Sequence, residues 1–303
     1  MNWHSLFDAD RPGRRYSLES PAATGRGRAI TVASQKGGVG KTTTVVNIAA
    51  AAGLCGRKVL LIDFDPQANA TSGVSCEKTI LGKVGDDTSP DGSEYRFLAA
   101  LGSEAGVRSL IEETEFENLW VLPSFHELSD RELLRAFFDT YINQWKSTVT
   151  ALKRTFDVVI IDCPPSLGGI PNLALLVSDE VIIPVQCEYY AMEGLSQILP
   201  VIEEVQRTKN ERLTIGGLLL TMYSDDLELS GEVSNEIREY FGDLVFESTI
   251  PRDVTLAESA SHGLPAVYYD FYCRGAWSYL NLTREVMADE RSKAGTWTRD
   301  SAG

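Results

Sequence analysis

The sequence predicts an α/β fold in which a doubly wound, mostly parallel sheet is flanked by helices. Two apolar runs, Val59–Asp63 and Val158–Asp162, are typical of strands buried on both faces of a parallel sheet, and each ends in an aspartate. A glycine-rich turn at residues 36–43 lies between the β-like segment Ala29–Ala33 and the helix-like segment Val45–Cys55. Right-handed crossovers between such strands would place the loops that bind ligands at the C-terminal edge of the sheet.

Each further element is predicted from a local pattern. Seven strands are expected from apolar runs bounded by turn residues, at Ala29–Ala33, Lys58–Asp63, Leu119–Leu122, Val158–Asp162, Glu180–Val185, Thr214–Thr221 and Phe246–Ile250. Helices are expected between the strands. The segment Ser129–Lys153 carries apolar residues at helical intervals, so we expect an amphipathic helix laid on the sheet.

Length and composition favour one large domain. The chain has 303 residues without an internal repeat, and the strand and helix pattern covers residues 29–288. Residues 1–28 are expected to form a flexible, arginine-containing extension, and residues 289–303 a polar tail. The five cysteines lie far apart without a CxxC pair, so neither a zinc site nor a disulfide framework is indicated. No apolar stretch approaches the ~18 residues of a membrane span, and we expect a cytoplasmic protein.

The glycine-rich turn predicts a site for the phosphate chain of a nucleotide. Its glycines allow the backbone of Gly37, Gly38, Val39 and Gly40 to turn so that successive N–H groups point at phosphate oxygens. The helix that follows adds the positive end of its dipole to this cradle. The sequence therefore predicts that a nucleotide binds between the first strand and the first helix.

The last three residues of the turn supply side chains to the phosphates and a metal. Lys41 is expected to contact the β- and γ-phosphates, and Thr42 to offer its hydroxyl to Mg²⁺, as in a P-loop. Thr43 is expected to donate to the α-phosphate. The ordinary pattern has glycine at position 35, where this chain has Gln35, and a lysine stands at Lys36, ahead of the glycines.

Acidic residues at two strand ends are candidates for the metal and the attacking water. Asp162 is expected to hold Mg²⁺ through water, because Mg²⁺ keeps much of its hydration shell. Asp63 is expected beside the metal, and Asp65 is the candidate for orienting the hydrolytic water. An aspartate at a strand end also commonly caps a turn, and this reading stays open for each residue taken alone.

The position of Lys36 resembles the deviant Walker A motif of the ParA/MinD class of ATPases. Five ordered blocks are similar to the ParA (Soj-like) family of partition and positioning ATPases, at Gln35–Thr44, Leu60–Ser72, Phe156–Leu167, Val181–Leu195 and Ile250–Pro265. They are spread over nearly the whole chain. The resemblance implies a deviant-Walker P-loop NTPase fold that uses ATP and Mg²⁺.

The resemblance also implies a mechanism and partners. Two copies would form a homodimer with two ATP molecules at the interface, and slow hydrolysis, stimulated by a ParB-like or other partner protein, would dissolve it. Lys36 would reach the nucleotide of the other subunit, and Glu188 would lie near the dimer face. The residues implied to lie near the adenine are Met222, Pro251, Arg252 and Asp253.

The sequence departs from the family where its relatives contact DNA. Basic residues are usual at Ser224–Glu228 and near Thr255, whereas these positions are acidic or neutral here, and the chain has 28 basic and 43 acidic residues. Non-specific DNA binding therefore stays possible but is weakened. Arginines of the N-terminal extension offer either a nucleic-acid arm or a solubilising leader: Arg11, Arg14, Arg15, Arg26 and Arg28. Basic residues near the C-terminus offer a second possible DNA surface: Arg274, Arg284, Arg291, Lys293 and Arg299.

Two other functions remain open at this point. A MinD-like switch on a membrane surface would need a basic amphipathic helix at the terminus, which Ala294–Arg299 does not form. A metabolic enzyme on the same scaffold would be a nitrogenase-type reductase or a dethiobiotin-synthetase-like ligase. The reductase pattern places its cysteine a few residues after the position of Cys163, while Lys36 and the turn at Pro164 and Pro165 favour the partition class over the ligase.

Overall fold

The computed structural model describes residues 27–74, 100, 103–124, 131–165 and 169–288. Of the expected N-terminal extension, only Gly27 and Arg28 fall within these ranges, and Arg28 is the first residue of a strand. The arginines of that extension before Gly27, the expected tail 289–303 and the basic residues in it lie outside the described residues.

Seven strands form one sheet in the described part of the chain. In chain order they are β1 (Arg28–Val32), β2 (Val59–Asp63), β3 (Glu112–Glu113), β4 (Leu119–Leu122), β5 (Val158–Asp162), β6 (Glu180–Gln186) and β7 (Thr214–Thr221). Their order across the sheet is β3-β4-β2-β5-β1-β6-β7, and every neighbouring pair is parallel except β3 and β4. The predicted doubly wound, mostly parallel sheet is confirmed.

Helices follow most strands. They are α1 (Lys41–Leu54), α2 (Asn69–Ser72), α3 (Glu104–Leu110), α4 (Arg131–Leu152), α5 (Gly169–Val177), α6 (Ala191–Thr208), α7 (Glu228–Phe241), α8 (Val254–Ser261), α9 (Ala266–Tyr269) and α10 (Arg274–Met287). A 3₁₀ turn, Gly242–Leu244, follows α7. Among these described helices, none combines the length and the apolar character that crossing a bilayer requires.

Both faces of the sheet are covered, which explains its continuous apolar strands. All residues of β2 and β5 are buried. Along β2, Leu61 packs in a cluster with α1 and α10, while Leu60 packs in a second cluster with α4 and α5. A third cluster joins β6 and β7 to α6 and α7. Strands buried on both sides cannot alternate apolar and polar residues, so the sequence shows runs instead.

The expected helix at Ser129–Lys153 forms as α4. Its described inner face is core, because Trp145, Val149 and Leu152 are buried in the cluster that contains β2 and β5. The pair of residues in β3 was not expected from the sequence.

The expected strand Phe246–Ile250 was wrong. The residues that flank this segment form isolated bridges, Val245 with Leu218 and Pro251 with Tyr223. Within the segment, the N–H groups of Phe246 and Ile250 donate to carbonyl oxygens of β7. Between them, the N–H groups of Glu247 and Ser248 donate to the carboxylate of Glu285 in α10, at 2.9 and 2.7 Å. These two amides are thus directed to a side chain, and a regular ladder with β7 does not form.

The order of the strands indicates where a ligand would bind at the sheet. β1 lies between β5 and β6, so the chain leaves β1 on one side through α1 and β2 and later crosses to the other side with β6. Ligands bind at such a reversal, outside the C-terminal ends of the strands. The glycine-rich turn follows β1 directly, which puts it at this reversal.

Candidate nucleotide-binding and catalytic site

Two of the three glycines in the glycine-rich turn have the backbone conformation that the sequence predicts, and Gly37 does not. Gly38 and Gly40 have φ of 73° and 87°, a left-handed region that residues with a Cβ rarely adopt. Gly40 is the N-cap of α1 and has no side chain to accept from the first-turn amides, and the first turn contains no acidic residue. The amides at this helix end are therefore free to bind an anion such as phosphate.

Lys41 and Thr42 point from the start of α1 to different groups. Lys41 is buried, and its Nζ donates to the carbonyl oxygen of Lys36 at 3.1 Å, across the turn. Burial lowers the pKa of Lys41, an effect that the charge of Asp162 partly offsets. The Thr42 hydroxyl donates to Oδ2 of Asp162 at 2.8 Å. The side chain predicted for the metal, Thr42, thus contacts the acid at the end of β5, while Lys41 feels only the charge of that acid.

Asp162 is the best-placed residue for a metal. It is fully buried, and its Oδ1 has no hydrogen-bond partner among the described residues. Burial, and then the neighbouring charge of Asp63, raises its pKa well above the usual range. A buried carboxylate oxygen without a donor is costly unless a cation or an ordered water satisfies it. The hard oxygens of Thr42 and Asp162 therefore fit the donor set that Mg²⁺ prefers.

Asp63 lies opposite Asp162 in the register of β2 and β5, but its carboxylate is occupied. Oδ1 accepts from the N–H of Asp65 at 3.0 Å, and Oδ2 accepts from both the N–H and the hydroxyl of Thr71 at 2.7 Å. Burial raises the pKa of Asp63 to about 6. Its predicted place beside the metal stays a prediction, while its contacts anchor the segment that follows β2.

Asp65 is held in a tight turn. It is 8% exposed, and its Oδ1 accepts from the N–H of Gln67 at 3.0 Å. The turn closes through Ala68, which has a positive φ of 54°, uncommon for a residue with a side chain. The charge of Asp65 is close enough to raise the pKa of both Lys41 and Asp162. The predicted role in orienting water stays a prediction, and the location is compatible with it.

Lys36 is the first residue of the phosphate turn, and its side chain extends to Glu188. Its Nζ is 3.7 Å from Oε2 of Glu188, and the side chain is about one-third exposed. The guanidinium of Arg252 binds the other oxygen of Glu188 at 3.2 Å, and Nε2 of Gln186 donates to that same oxygen at 2.6 Å. Glu188 thus brings together two residues predicted for different parts of the site, Lys36 and Arg252.

Two of the residues that were expected near the adenine are linked to Glu188, Arg252 directly and Met222 through Gln186. Met222 has a positive φ of 52°, and its sulfur accepts from Nε2 of Gln186 at 3.1 Å. Pro251 bridges to Tyr223. The carboxylate of Asp253 accepts from two backbone amides, Thr255 in α8 and Gly275 in α10, so this acid joins two helix starts. Contact of these residues with adenine stays a prediction.

The chain is similar to known proteins over most of its length. The model of the family described as AAA domain matches residues 27–215. The chain is 43% identical to the sporulation initiation inhibitor protein Soj of Bacillus subtilis over 263 residues, which cover 87% of this chain and 99% of that protein. It is 40% identical to the chromosome-partitioning ATPase Soj of Treponema pallidum over 272 residues, 86% of this chain and 98% of that protein. The chain belongs to the ParA/Soj family of ATPases.

A solved structure shares the fold of this ParA/Soj chain. Cobyrinic acid a,c-diamide synthase from Mycobacterium smegmatis, crystallised with bound ADP and magnesium, superposes with a TM-score of 0.68 at 30% identity and covers 90% of this chain and 99% of that chain. The predicted family and fold are confirmed, and so is the prediction that the chain is an ATPase.

The hydroxyls of three further residues support this ParA/Soj site. Thr221, at the end of β7, donates through its hydroxyl to the carbonyl oxygen of Val39 at 3.0 Å and so supports the phosphate turn. Thr71 and Ser124 hold the segment after β2. Thr71 lies in one of the five blocks similar to the family, which is the signal that was available for it. Ser124 has no such signal, since its contacts are with residues more than 50 positions away.

Proposed function

We propose that this chain is a Mg²⁺-dependent ATPase that works as a dimerising switch. ATP brings two copies together, slow hydrolysis stimulated by a ParB-like or other partner separates them, and the cycle partitions or positions DNA or a large protein cargo in the cytoplasm. The observation that carries the proposal is the place of Lys36. Its ammonium group rests on Glu188, outside its own phosphate turn, although the residue belongs to the phosphate-binding sequence.

The described residues divide the work of hydrolysis among them. The amides of the turn and Lys41 bind the phosphates, and the Thr42 hydroxyl with Asp162 would hold Mg²⁺. When bound there, Mg²⁺ would neutralise charge that builds on the phosphate oxygens. Asp65 orients the attacking water, and Lys36 of one protomer adds its charge to the nucleotide of the other. Little covalent chemistry is required of side chains, so the rate depends on positioning.

The dimer switch is tested by sizing the protein with and without ATP and Mg²⁺. The Asp65→Ala variant is expected to accumulate as an ATP-bound dimer, because hydrolysis no longer separates the subunits. Adding Lys36→Ala to it is expected to return the protein to a monomer that still binds ATP. Lys58→Ala is the matched control, since Lys58 is exposed just before β2, at the opposite edge of the sheet. An Asp65→Ala protein that binds ATP and stays monomeric would refute the switch.

The surface that the switch rides on is a separate part of the proposal. Asp225, Asp226 and Glu228 are exposed, and Arg274 is bound to Asp225 at 2.7 Å, so one of the basic residues predicted for DNA is already paired with an acid. This supports weak binding of non-specific DNA at most. A gel shift in a salt series with and without ATP tests it: binding that needs ATP and falls steeply with salt indicates the dimer.

The other candidate functions receive less support. A membrane-surface switch needs an amphipathic helix with a free apolar side. The last described helix, α10, packs Tyr279, Leu280 and Val286 into the core cluster of α1. Sedimentation with lipid vesicles and ATP is the test. The structural likeness to cobyrinic acid a,c-diamide synthase keeps a metabolic activity as a second candidate, but full-length identity of about 40% to Soj proteins favours the switch.

A further inference from the structure

The segment that carries Asp65 is closed by a ring of hydrogen bonds. The N–H of Asp65 donates to Oδ1 of Asp63 at 3.0 Å, and the carbonyl of Asp65 accepts from the hydroxyl of Ser124 at 2.5 Å. The N–H of Ser124 donates to Oγ1 of Thr71 at 2.9 Å, and that hydroxyl donates to Oδ2 of Asp63 at 2.7 Å. These four residues form what we call the Asp63 ring.

The Asp63 ring joins three separate parts of the fold. Asp63 is the last residue of β2, Thr71 lies in α2, and Ser124 follows β4 by two residues. Asp63 and Thr71 are buried and Ser124 is partly buried, so water competes weakly for these bonds. The ring therefore fixes the start of the segment relative to two strands that belong to the rigid sheet.

The backbone held by the ring is not in a relaxed conformation. Ala68 has φ of 54°, and its N–H donates to the carbonyl of Asp65 at 2.8 Å, the same oxygen that accepts from Ser124. A left-handed residue other than glycine is strained and persists only where its surroundings impose it. Here the surroundings are the ring, so removing one of its hydroxyls should release the turn.

We propose that Thr71 and Ser124 are positioning residues for ATP hydrolysis, which hold the main chain of Asp65 so that its carboxylate faces the site of the attacking water. The inference rests on the proposed function, because it requires that Asp65 orients that water. The carboxylate keeps one oxygen on the N–H of Gln67, and within the described residues Oδ2 accepts no hydrogen bond. The direction of Oδ2 of Asp65 is therefore set by the conformation of the turn, which the Asp63 ring holds in place.

The test measures kcat and KM for Mg²⁺-ATP in variants that remove one hydroxyl each. Thr71→Val and Ser124→Ala are expected to lower kcat about fivefold, the rate equivalent of one ordinary hydrogen bond, with KM for ATP within about twofold of the parent. Thr71→Ser keeps the hydroxyl and is expected to retain the parent kcat. Ser72→Ala removes a hydroxyl from the next residue of α2, outside the ring, and is the matched control.

A double-mutant cycle separates positioning from general weakening of the fold. If Thr71 acts through Asp65, then Thr71→Val has no further effect on kcat in an Asp65→Asn protein. If Thr71→Val lowers kcat by the same factor in both backgrounds, the inference is overturned. Ser124→Ala gives an independent arm should Thr71→Val fail to fold, which thermal melting followed by circular dichroism will reveal.

Failure of the inference is distinct from failure of the proposed function. If Asp65→Asn is slow while Thr71→Val and Ser124→Ala keep the parent kcat, only the inference is overturned. If Asp65→Asn hydrolyses ATP at the parent rate, the proposed role of Asp65 is wrong and the inference falls with it. Loss of ATP binding in the hydroxyl variants, seen as a raised KM with unchanged kcat, also overturns it.

Discussion

At the scale of single residues, Glu188 determines where the charge of Lys36 lies in the isolated protomer. One carboxylate binds two cations, Lys36 and Arg252, and both pairs are partly exposed to solvent. Such pairs stabilise by at most about 1 kcal/mol, because water screens them. A lysine held this weakly is available to a second copy of the chain. The ion pair between Lys36 and Glu188 must break before Lys36 can contact the nucleotide of that copy.

We predict that Glu188→Gln strengthens the ATP-dependent dimer, because Lys36 no longer has to leave an ion pair. The dissociation constant is expected to fall by up to about fivefold, measured by analytical ultracentrifugation in the Asp65→Ala background with ATP and Mg²⁺. Glu193→Gln is the control, since Glu193 is exposed in the first turn of α6 and takes part in neither of the Glu188 pairs. An unchanged or weaker dimer would show that Glu188 does not compete for Lys36.

A second prediction concerns the pH dependence of stability through Asp63. Burial raises the pKa of this carboxyl from 3.8 to about 6, so the folded protein takes up a proton more readily than the unfolded chain. Its contribution to stability is therefore fully present below about pH 4 and is lost as pH rises through 6. The difference in unfolding free energy between the parent and Asp63→Asn should fall by roughly 2–3 kcal/mol over that range.

Urea unfolding at a series of pH values, without metal or nucleotide, measures this difference. Comparison with Asp63→Asn cancels the carboxyls that both proteins share, except Asp162, whose pKa the charge of Asp63 raises. A difference that stays flat between pH 4 and 7, or rises with pH, would mean that the hydrogen bonds from Thr71 and Asp65 outweigh burial at this site.

The phosphate turn and Asp162 could be predicted from the sequence because their chemistry is local. Glycines with positive φ, a lysine and a threonine at fixed spacing leave a pattern within ten residues, and an aspartate after an apolar run marks a strand end. Ser124 could not be predicted, since its partner Thr71 is 53 residues away and a serine after a proline has many ordinary uses. Lys36 could be singled out from the sequence, but its contact with Glu188 could be seen only in the folded structure.

At the scale of elements, the packing of α1 reverses a rule of helix stability. Gly53 lies near the end of this helix, where alanine would normally stabilise by up to about 1 kcal/mol. A Cβ at this position would lie 2.2 Å from the carbonyl oxygen of Glu117, a backbone atom that has little freedom to move. The carbonyl of Gly53 also accepts from the side chain of Asn118 at 3.1 Å, which holds the two segments together.

We therefore predict that Gly53→Ala destabilises the protein by about 1–3 kcal/mol, because the helix has to move away from the loop before β4. Gly231→Ala in α7 is the matched control. A Cβ there meets nothing within 4 Å, so the substitution should stabilise by roughly 0.5–1 kcal/mol. Chemical denaturation measures the change in unfolding free energy for each variant, and we expect the two changes to have opposite signs. Stabilisation by Gly53→Ala would mean that the contact between α1 and the loop is not closely packed.

Elements were predictable from the sequence where burial produces a continuous pattern. β2 and β5 are buried on both faces, so their apolar runs identified them to within a residue or two. The segment Phe246–Ile250 is apolar only at its two ends, and Glu285 in a distant helix accepts hydrogen bonds from two of its amides. β3 contains two acidic residues and is defined only by pairing with β4 at the edge of the sheet. The sequence near each segment does not reveal contacts of this kind, because they depend on how the chain folds.

At the scale of the whole molecule, the charge balance works against DNA as the surface on which the switch moves. The formal net charge is −15, and a duplex repels such a protein unless a local basic face offsets the average. The described residues beside the expected DNA face include Asp225 and Asp226, and the guanidinium of Arg274 is paired with the first of them. Removing these acids should therefore reveal whether the face retains any capacity to bind phosphates.

The last prediction tests that face directly. Replacing both acids, Asp225→Asn with Asp226→Asn, is expected to strengthen ATP-dependent binding of non-specific DNA several-fold at fixed salt and to free Arg274 for a phosphate. One added phosphate contact makes the slope of log K against log salt steeper by about 0.9. Fluorescence anisotropy of a labelled duplex across a salt series measures both quantities. The control is Glu239→Gln with Asp243→Asn, which neutralises two exposed acids, one in the last turn of α7 and one in the 3₁₀ turn that follows it. Equal gains in both double variants would indicate a general loss of repulsion, whereas a gain and a steeper slope confined to the first pair would locate the DNA face beside Arg274.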